Sequence, residues 1–367
     1  MDYAKLRVLF LALEFPRWQQ ARHWSYGAQL GFEEGLQACG VKFLTVTTPW
    51  LSRVQEICRG QKFDQVWFEI VHHTFDDGLL DWIAGVAPVR VGFLGESLEY
   101  TPEECLIDPR LAARKRLVED RLKYVTHAVA VDEHDVREIN MRGLASAMWL
   151  VSAVPERFVR ERSAAPALGA AAFSGALYGE RASWLERPEL KGLLIKQPSP
   201  EQGTPYPLLF DALHYAVPLY LRRAAVAEKA ALGAYLCALR RIRRRCFSRW
   251  LRAMWIGSAV INLPACVKAY AGRVVEAMAA GRPVISWEIP NRPRTKALFE
   301  DGKEILLYPK DSPGQLAAHV QRIQAEPDFA RRLVAAASAR LRRFHTTEKR
   351  VQQVLDWLDT GALPTYE

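Results

Sequence analysis

Short apolar runs alternate along this chain with longer amphipathic stretches, a pattern that predicts parallel strands joined by crossover helices. The run Val8-Leu-Phe-Leu-Ala-Leu13, closed by Glu14, places a first strand at 7–13, and similar runs place others at 42–47, 65–70, 89–94, 128–131 and 147–151. Helical stretches lie between them at 26–39, 77–84 and 109–123. This is the pattern of a doubly wound α/β domain. Residues 154–170, rich in Pro, Arg, Ser and Ala and without a period, read as a linker. A second α/β series follows, with strands at 171–174, 192–196, 255–262, 283–287 and 304–308 and closing helices at 313–324, 327–344 and 347–360. The predicted organisation is a Rossmann-like domain over 1–160, a second over 161–345, and a helix and tail over 346–367 packing back on the first domain. Open α/β sheets bind ligands at the carboxyl ends of their strands, so the cleft between the two domains is the expected site.

Residues 206–254 fit this scheme poorly. They are almost continuously helical, with Leu232, Leu236, Leu239, Ile242, Cys246, Trp250 and Met254 at helical spacing. Charge changes the picture here: of a net +9, seven arginines fall between Arg240 and Arg252, interleaved with Phe247, Trp250 and Leu251. A basic amphipathic helix of this kind reads first as a solvated face whose apolar stripe packs on its own domain, and it also suits an anionic membrane surface; both readings stay open. No nucleic-acid module accompanies the charge, so no nucleic-acid partner is expected.

The apolar run at the N-terminus is too short for a signal peptide, and no stretch approaches the ~20 apolar residues that span a bilayer. The expected location is cytoplasmic, with the arginine helix offering peripheral attachment at the inner face of the membrane. Six scattered cysteines without metal-ligand spacing read as reduced thiols.

A P-loop, a nucleophile elbow, a His-Glu-x-x-His pair and GxGxxG are all missing, which removes the usual anchors of phosphoryl transfer, serine hydrolysis, zinc proteolysis and dinucleotide binding. One segment is dense in features: Ala269-Tyr-Ala-Gly-Arg-Val-Val-Glu-Ala-Met-Ala-Ala-Gly-Arg-Pro-Val-Ile-Ser-Trp287. Gly272 permits close backbone approach just before a helix that carries Arg273 in its first turn, and amides freed there, with a guanidinium, suit a diphosphate. Glu276 follows at i+3, where a carboxylate can accept two hydrogen bonds from a ribose diol. Gly281 ends the helix.

From about Ile261 to the C-terminus the chain resembles GT-B glycosyltransferases of the group 1 clan, through Glu276-Ala-Met-Ala-x-Gly281, the strand after it, and Leu298-Phe-Glu-Asp-Gly-Lys-Glu-Ile-Leu-Leu-Tyr308. The resemblance implies the GT-B fold: two Rossmann-like doubly wound domains, acceptor-binding and donor-binding, facing an inter-domain cleft. It implies a hexosyltransferase-like enzyme that moves a sugar from a nucleotide-sugar donor to an unidentified acceptor, with Glu276 on the donor ribose and no cofactor or metal. Phe173-Ser-Gly-Ala-Leu-Tyr-Gly-Glu-Arg-Ala-Ser-Trp-Leu185 is similar to the first strand and glycine loop of such a donor domain. There Gly175 lets the diphosphate approach, Arg181 supplies charge, and Lys196 on the next strand is a further phosphate contact. Many retaining members of the clan carry a Glu eight residues before the ribose Glu; here that position is Lys268. Acceptor-side candidates are Glu14, His23, His72, His73, Asp76 and Glu96, which follow first-domain strands, with Glu96 the expected acceptor base and Arg273 the expected stabiliser of the leaving diphosphate. The other readings are a sugar-nucleotide epimerase or hydrolase, a non-catalytic nucleotide binder, and a membrane-associated scaffold.

Overall fold

The computed structural model describes residues 2–21, 30–72, 74–160, 169–177, 179–223 and 228–366. The first sheet takes its strands from β1 (Arg7–Ala12), β2 (Lys42–Thr47), β3 (Gln65–Glu69), β4 (Val89–Leu94), β5 (His127–Ala130) and β6 (Ser146–Trp149). All pair in parallel in the order β2-β1-β3-β4-β5-β6. Five of the six β1 residues are buried, as expected of a parallel strand covered on both faces. Around this sheet lie α1 (Trp18–Ala21), α2 (Gly31–Ala38), α3 (Val54–Ile57), α4 (Asp77–Val86), α5 (Pro102–Ile107), α6 (Arg110–Arg121) and α7 (Glu133–Met141). Their starts are set locally: Asp76 and Asp132 cap α4 and α7, and Thr101 with Glu104 forms a capping box on α5.

The second sheet uses β7 (Ala171–Phe173), β8 (Leu194–Lys196), β9 (Val260–Asn262), β10 (Val284–Trp287) and β11 (Leu306–Tyr308), parallel in the order β11-β10-β9-β7-β8. The remaining helices, in chain order, are α8 (Arg181–Leu185), α9 (Tyr206–Arg223), α10 (Glu228–Ala253), α11 (Gly272–Ala279), α12 (Pro293–Lys296), α13 (Pro313–Ala325), α14 (Pro327–Phe344) and α15 (Thr347–Thr360). The expected strand over 255–262 is shorter than its apolar pattern suggests, because Met254–Ile256 form a 3-10 turn closing α10.

The helical stretch that strained the α/β pattern is a hairpin, α9 and α10, inserted between β8 and β9. Its apolar stripe is core: Leu232, Tyr235, Leu236, Leu239, Cys246, Phe247 and Leu251 are all buried. The hairpin bridges both domains. Phe247 meets Phe158 edge-on at 4.9 Å, Arg240 forks onto Glu33 at 2.8 and 2.7 Å, and Trp255 Nε1 donates to Ala280 O at 2.8 Å. The arginine run is therefore spent in part on the molecule itself: Arg243 is buried and Arg249 donates to Pro200 O, while Arg241, Arg244, Arg245 and Arg252 are exposed, Arg244 pairing with Glu34.

The C-terminal helix α15 returns to the first sheet. Val351, Val354, Leu355 and Trp357 share a buried cluster with Val8, Phe10 and Trp67. Its entry is fixed by Thr347 N donating to Val154 O at 3.1 Å and Arg350 Nε to Val151 O at 2.9 Å. Among the described residues no helix is long and apolar enough to cross a membrane. The six cysteines are free thiols.

Candidate functional site

Strand order reverses between β7 and β9 in the second sheet, and a crevice opens where the strands diverge at such a switch point. Arg273, in the first turn of α11, reaches over it. Its Nη1 donates to Asn262 Oδ1 at 3.2 Å and its guanidinium lies 4.8 Å from the centre of the Phe173 ring. Arg181 and Lys196 come to the same ring, at 5.7 and 5.4 Å. Three cations singled out from separate segments thus converge on one aromatic platform. Arg181 is almost fully buried at the start of α8, where Nη1 donates to Ala176 O at 3.3 Å; Lys196 stands exposed at the end of β8.

Gly175 has φ +143°, and a Cβ there would lie 2.4 Å from Arg273 Nη2. The glycine makes room first for this guanidinium, a more specific reason than backbone approach to a ligand. Beside it a cavity of about 350 Å³ is lined by Gly175, Lys196, Gln197, Glu201 and Trp250.

Glu276 lies one turn beyond Arg273 and is buried, so it is not a solvated helix-face residue. Its Oε2 accepts from Trp250 Nε1 at 2.9 Å, tying α11 to the inserted hairpin. Ala280 caps α11, and Gly281 takes the left-handed conformation, φ +71°, that ends it.

The first-domain candidates separate. Glu14 is 2% exposed and is gripped by Arg243, with Arg243 Nε 3.1 Å from Oε2; this sealed pair fastens α10 to β1 and leaves Glu14 facing no open cleft. His72 Nδ1 bonds to Thr74 Oγ1 at 2.7 Å while its carbonyl accepts from Arg121 at 2.8 Å. Asp76 is the N-cap of α4. His23 and His73 lie outside the described residues.

Glu96 is salt-bridged to Arg114 at the mouth of an inter-domain cavity of about 470 Å³, whose other wall carries Glu180, Cys266 and Lys310. Lys268 also faces this boundary. Its backbone N donates to Ser97 Oγ at 2.6 Å and its ammonium pairs with Glu104, so it works as a tie between domains. A second tie is Arg292, whose guanidinium reaches Asp132 at 2.6 and 3.0 Å and Glu99 at 2.7 Å.

One carboxylate escaped the sequence reading. Glu69, the last residue of β3, sits beside the first sheet's switch point between β1 and β3. Burial and the neighbouring Glu96 push its pKa up to about 8, against backbone N–H groups of Gly95 and Val71 that bond it. It was hidden because it closes an apolar run, where a terminal Glu reads as a strand end. Trp250 was hidden within the basic helix, and Asn262 at the end of a buried strand. Among the described residues no group of three or more His, Cys, Asp or Glu is placed to hold a metal.

Residues 240–356, less than half the chain, match a family described as glycosyl transferase-like. No curated protein sequence matches. Solved structures similar to the whole chain include HepE of Anabaena in complex with UDP and glucose, at 12% identity and TM-score 0.53, covering 97% of this chain and 100% of that one. Sucrose-phosphate synthase of Thermosynechococcus elongatus gives 12% and 0.57, with 98% and 100% covered. A glycosyltransferase of Rickettsia africae gives 10% and 0.56, with the same coverage. At such identities the likeness concerns the fold, and that fold is GT-B.

Proposed function

We propose that this GT-B protein, glycosyl transferase-like over residues 240–356, moves a hexose from a nucleoside diphosphate to an acceptor hydroxyl without a metal ion. The observation that carries the reading is the convergence of Arg273, Arg181 and Lys196 on the Phe173 platform at the switch point of the second sheet. Positive charge held beforehand in a crevice stabilises a diphosphate as negative charge grows on it during departure, with little reorganisation needed. Glu276, one turn along the same helix, orients the ribose, and Trp250 holds its carboxylate in place. The cavity lined by Lys196, Gln197 and Trp250 takes the base. The acceptor enters from the first domain, where the cavity near Glu96 opens between the two sheets.

HepE was solved with UDP, which makes UDP the first nucleotide to try. A peripheral membrane role falls to the exposed side chains of Arg241, Arg244, Arg245 and Arg252, since the apolar side of their helix is core; this favours surface attraction over insertion.

The test is a thermal-shift panel of UDP, GDP, dTDP, ADP and CMP on wild type and Glu276→Gln. The substitution keeps an acceptor for the Trp250 indole while it removes the charge. A ligand at 100 times its Kd adds about 2.7 kcal/mol to the folded state, which is several degrees. One nucleotide giving that shift in wild type and much less in the variant supports the reading. No shift by any nucleotide at millimolar concentration would overturn it.

A further inference from the structure

The first sheet has a switch point of its own. Its order reverses between β1 and β3, so the ends of these two strands flank the crevice where an open α/β sheet binds its ligand. A carboxylate stands just past the end of β1 and another at the end of β3. Glu14, after β1, is neutralised by Arg243 in a sealed pair and is withdrawn from the crevice. Glu69, at the end of β3, is different. The groups bonding it are the backbone N–H of Gly95 and of Val71, and the charge acting on it is another carboxylate, Glu96.

Three arginines of neighbouring elements are engaged elsewhere. Arg121 from α6 donates to the carbonyls of Ile70, His72 and Phe75; Arg114 is bound to Glu96; Arg350 from α15 is turned to the carbonyls of Val151 and Phe344. Among the described residues no cation acts on Glu69, and a half-buried carboxylate without one costs stability, which a purely structural residue has no reason to keep.

Glu69 also has a place to act. It lines a cavity of about 260 Å³ together with Gly95, Ser152 and Gly272, and Gly272 begins the helix that carries Arg273 and Glu276. The Glu69 Oε2 lies 3.7 Å from where a Cβ on Gly95 would stand, so the bare glycine leaves that side of the carboxylate uncovered. The cavity therefore joins the end of β3 to the start of the proposed donor helix.

We propose that Glu69 is the general base that takes the proton from the acceptor hydroxyl. The inference rests on the donor site proposed above. The acceptor oxygen forms its bond to the anomeric carbon as its proton passes to Glu69. The bond from that carbon to the diphosphate oxygen breaks, and its electron pair leaves with the diphosphate, held by Arg273 and its neighbours. The proton then returns from Glu69 to solvent. Attack from the side opposite the leaving group inverts the anomeric carbon. The raised basicity suits the task, because a base titrating near the working pH combines a large ionised fraction with a strong pull on the proton.

The experiment uses the full chain, wild type, Glu69→Gln and Glu69→Asp, with UDP-glucose as donor and water as acceptor. UDP binding is read by thermal shift, UDP release is read from pH 6 to 10, and the first-formed glucose anomer is read by NMR. The expected result is UDP binding within about twofold in all three proteins. Release should fall about a hundredfold or more in Glu69→Gln, the size usual for loss of a general base, with partial recovery in Glu69→Asp. Release by wild type should rise with pH through about 8, and that ionisation should vanish in Glu69→Gln. The first glucose released from the α-linked donor should be β. A Glu69→Gln protein that binds UDP and releases it at the wild-type rate, or α-glucose as first product, overturns the role of Glu69 and leaves the donor site standing. If wild type binds GDP, dTDP, ADP or CMP in place of UDP, the same three proteins are assayed with the matching nucleotide-sugar; if it binds none of the five, the donor reading fails and this inference with it.

Discussion

Replacing Gly175 by Ala tests the diphosphate platform at its tightest point. The added Cβ would stand 2.4 Å from Arg273 Nη2, 3.0 Å from Cζ and 3.2 Å from Nε, against the 3.4–4 Å of ordinary contact. The atoms it meets are the far end of a flexible side chain, so Arg273 swings away and the backbone stays. In leaving, the guanidinium gives up its bond to Asn262 Oδ1 and its place over Phe173. Stability falls through the strain of a non-glycine residue at φ +143°, about 1–3 kcal/mol. Binding falls separately: a charge-assisted hydrogen bond to phosphate contributes about 1.5–3 kcal/mol, so UDP affinity should drop about 10- to 150-fold. Calorimetric titration with UDP measures this, and circular dichroism with a urea melt confirms that the variant is folded. A folded Gly175→Ala protein that binds UDP within twofold of wild type would refute the placement of the diphosphate on Arg273.

Trp250→Phe removes the indole donor to Glu276 while keeping an aromatic body, and a hydrogen bond to a charged group is worth about 1.5–3 kcal/mol; nucleotide affinity should fall at least severalfold in titration calorimetry, and unchanged affinity would show that Glu276 needs no such brace. Arg292→Ala strands Asp132, which is fully buried, and breaking such a pair costs about 3–5 kcal/mol. The urea midpoint should drop sharply and recover in part in Arg292→Met with Asp132→Asn; an unchanged midpoint would mean the tie between domains is idle. Stability should also fall as pH rises from 6.5 to 8.5. Burial and the nearby Asp132 push the Asp135 carboxyl up to about 8, so its contribution is present in full below the ordinary carboxylate range and is lost as pH climbs through 8. Melting curves of wild type and Asp135→Asn check this, the variant giving the flatter profile. On the acid side, burial and then Arg350 drive the His345 pKa down to about 2; the stability it confers is complete above the ordinary histidine range and is lost as pH falls below about 6.5. His345→Gln should weaken that acid-side slope, and an equal slope would show that other groups carry it.

Local pattern carried a large share of the architecture. The strands at 42–47 and 89–94 and the helices at 327–344 and 347–360 occur where periodicity puts them, because parallel strands buried on both faces and amphipathic helices leave plain traces in sequence. Helices α5 and α7 left weaker ones. The first is six residues long with none buried, and the second begins in a cluster of acidic residues that cap it and bond across the domain boundary. Arg273, Arg181 and Lys196 could be named from their segments, but nothing in their spacing says that all three meet at Phe173.

The arginine helix marks the limit of such reading. Its composition fits a packed face and also a membrane surface, since each needs one apolar side and one basic side. Only the position of α10 against Glu14, Glu33 and Glu34 shows that its apolar side is core, because those partners lie more than 200 residues away in the chain. The same holds for Glu14 and Glu69. Both are acidic residues closing apolar strands, and the sequence by itself determined that much, along with two α/β domains and a helix suited to a nucleotide. Which carboxylate is sealed by an arginine and which stays open to a cavity is settled by packing between distant segments, and desolvation beside the Glu96 carboxylate, the condition that raises the basicity of Glu69, exists only once the chain has folded.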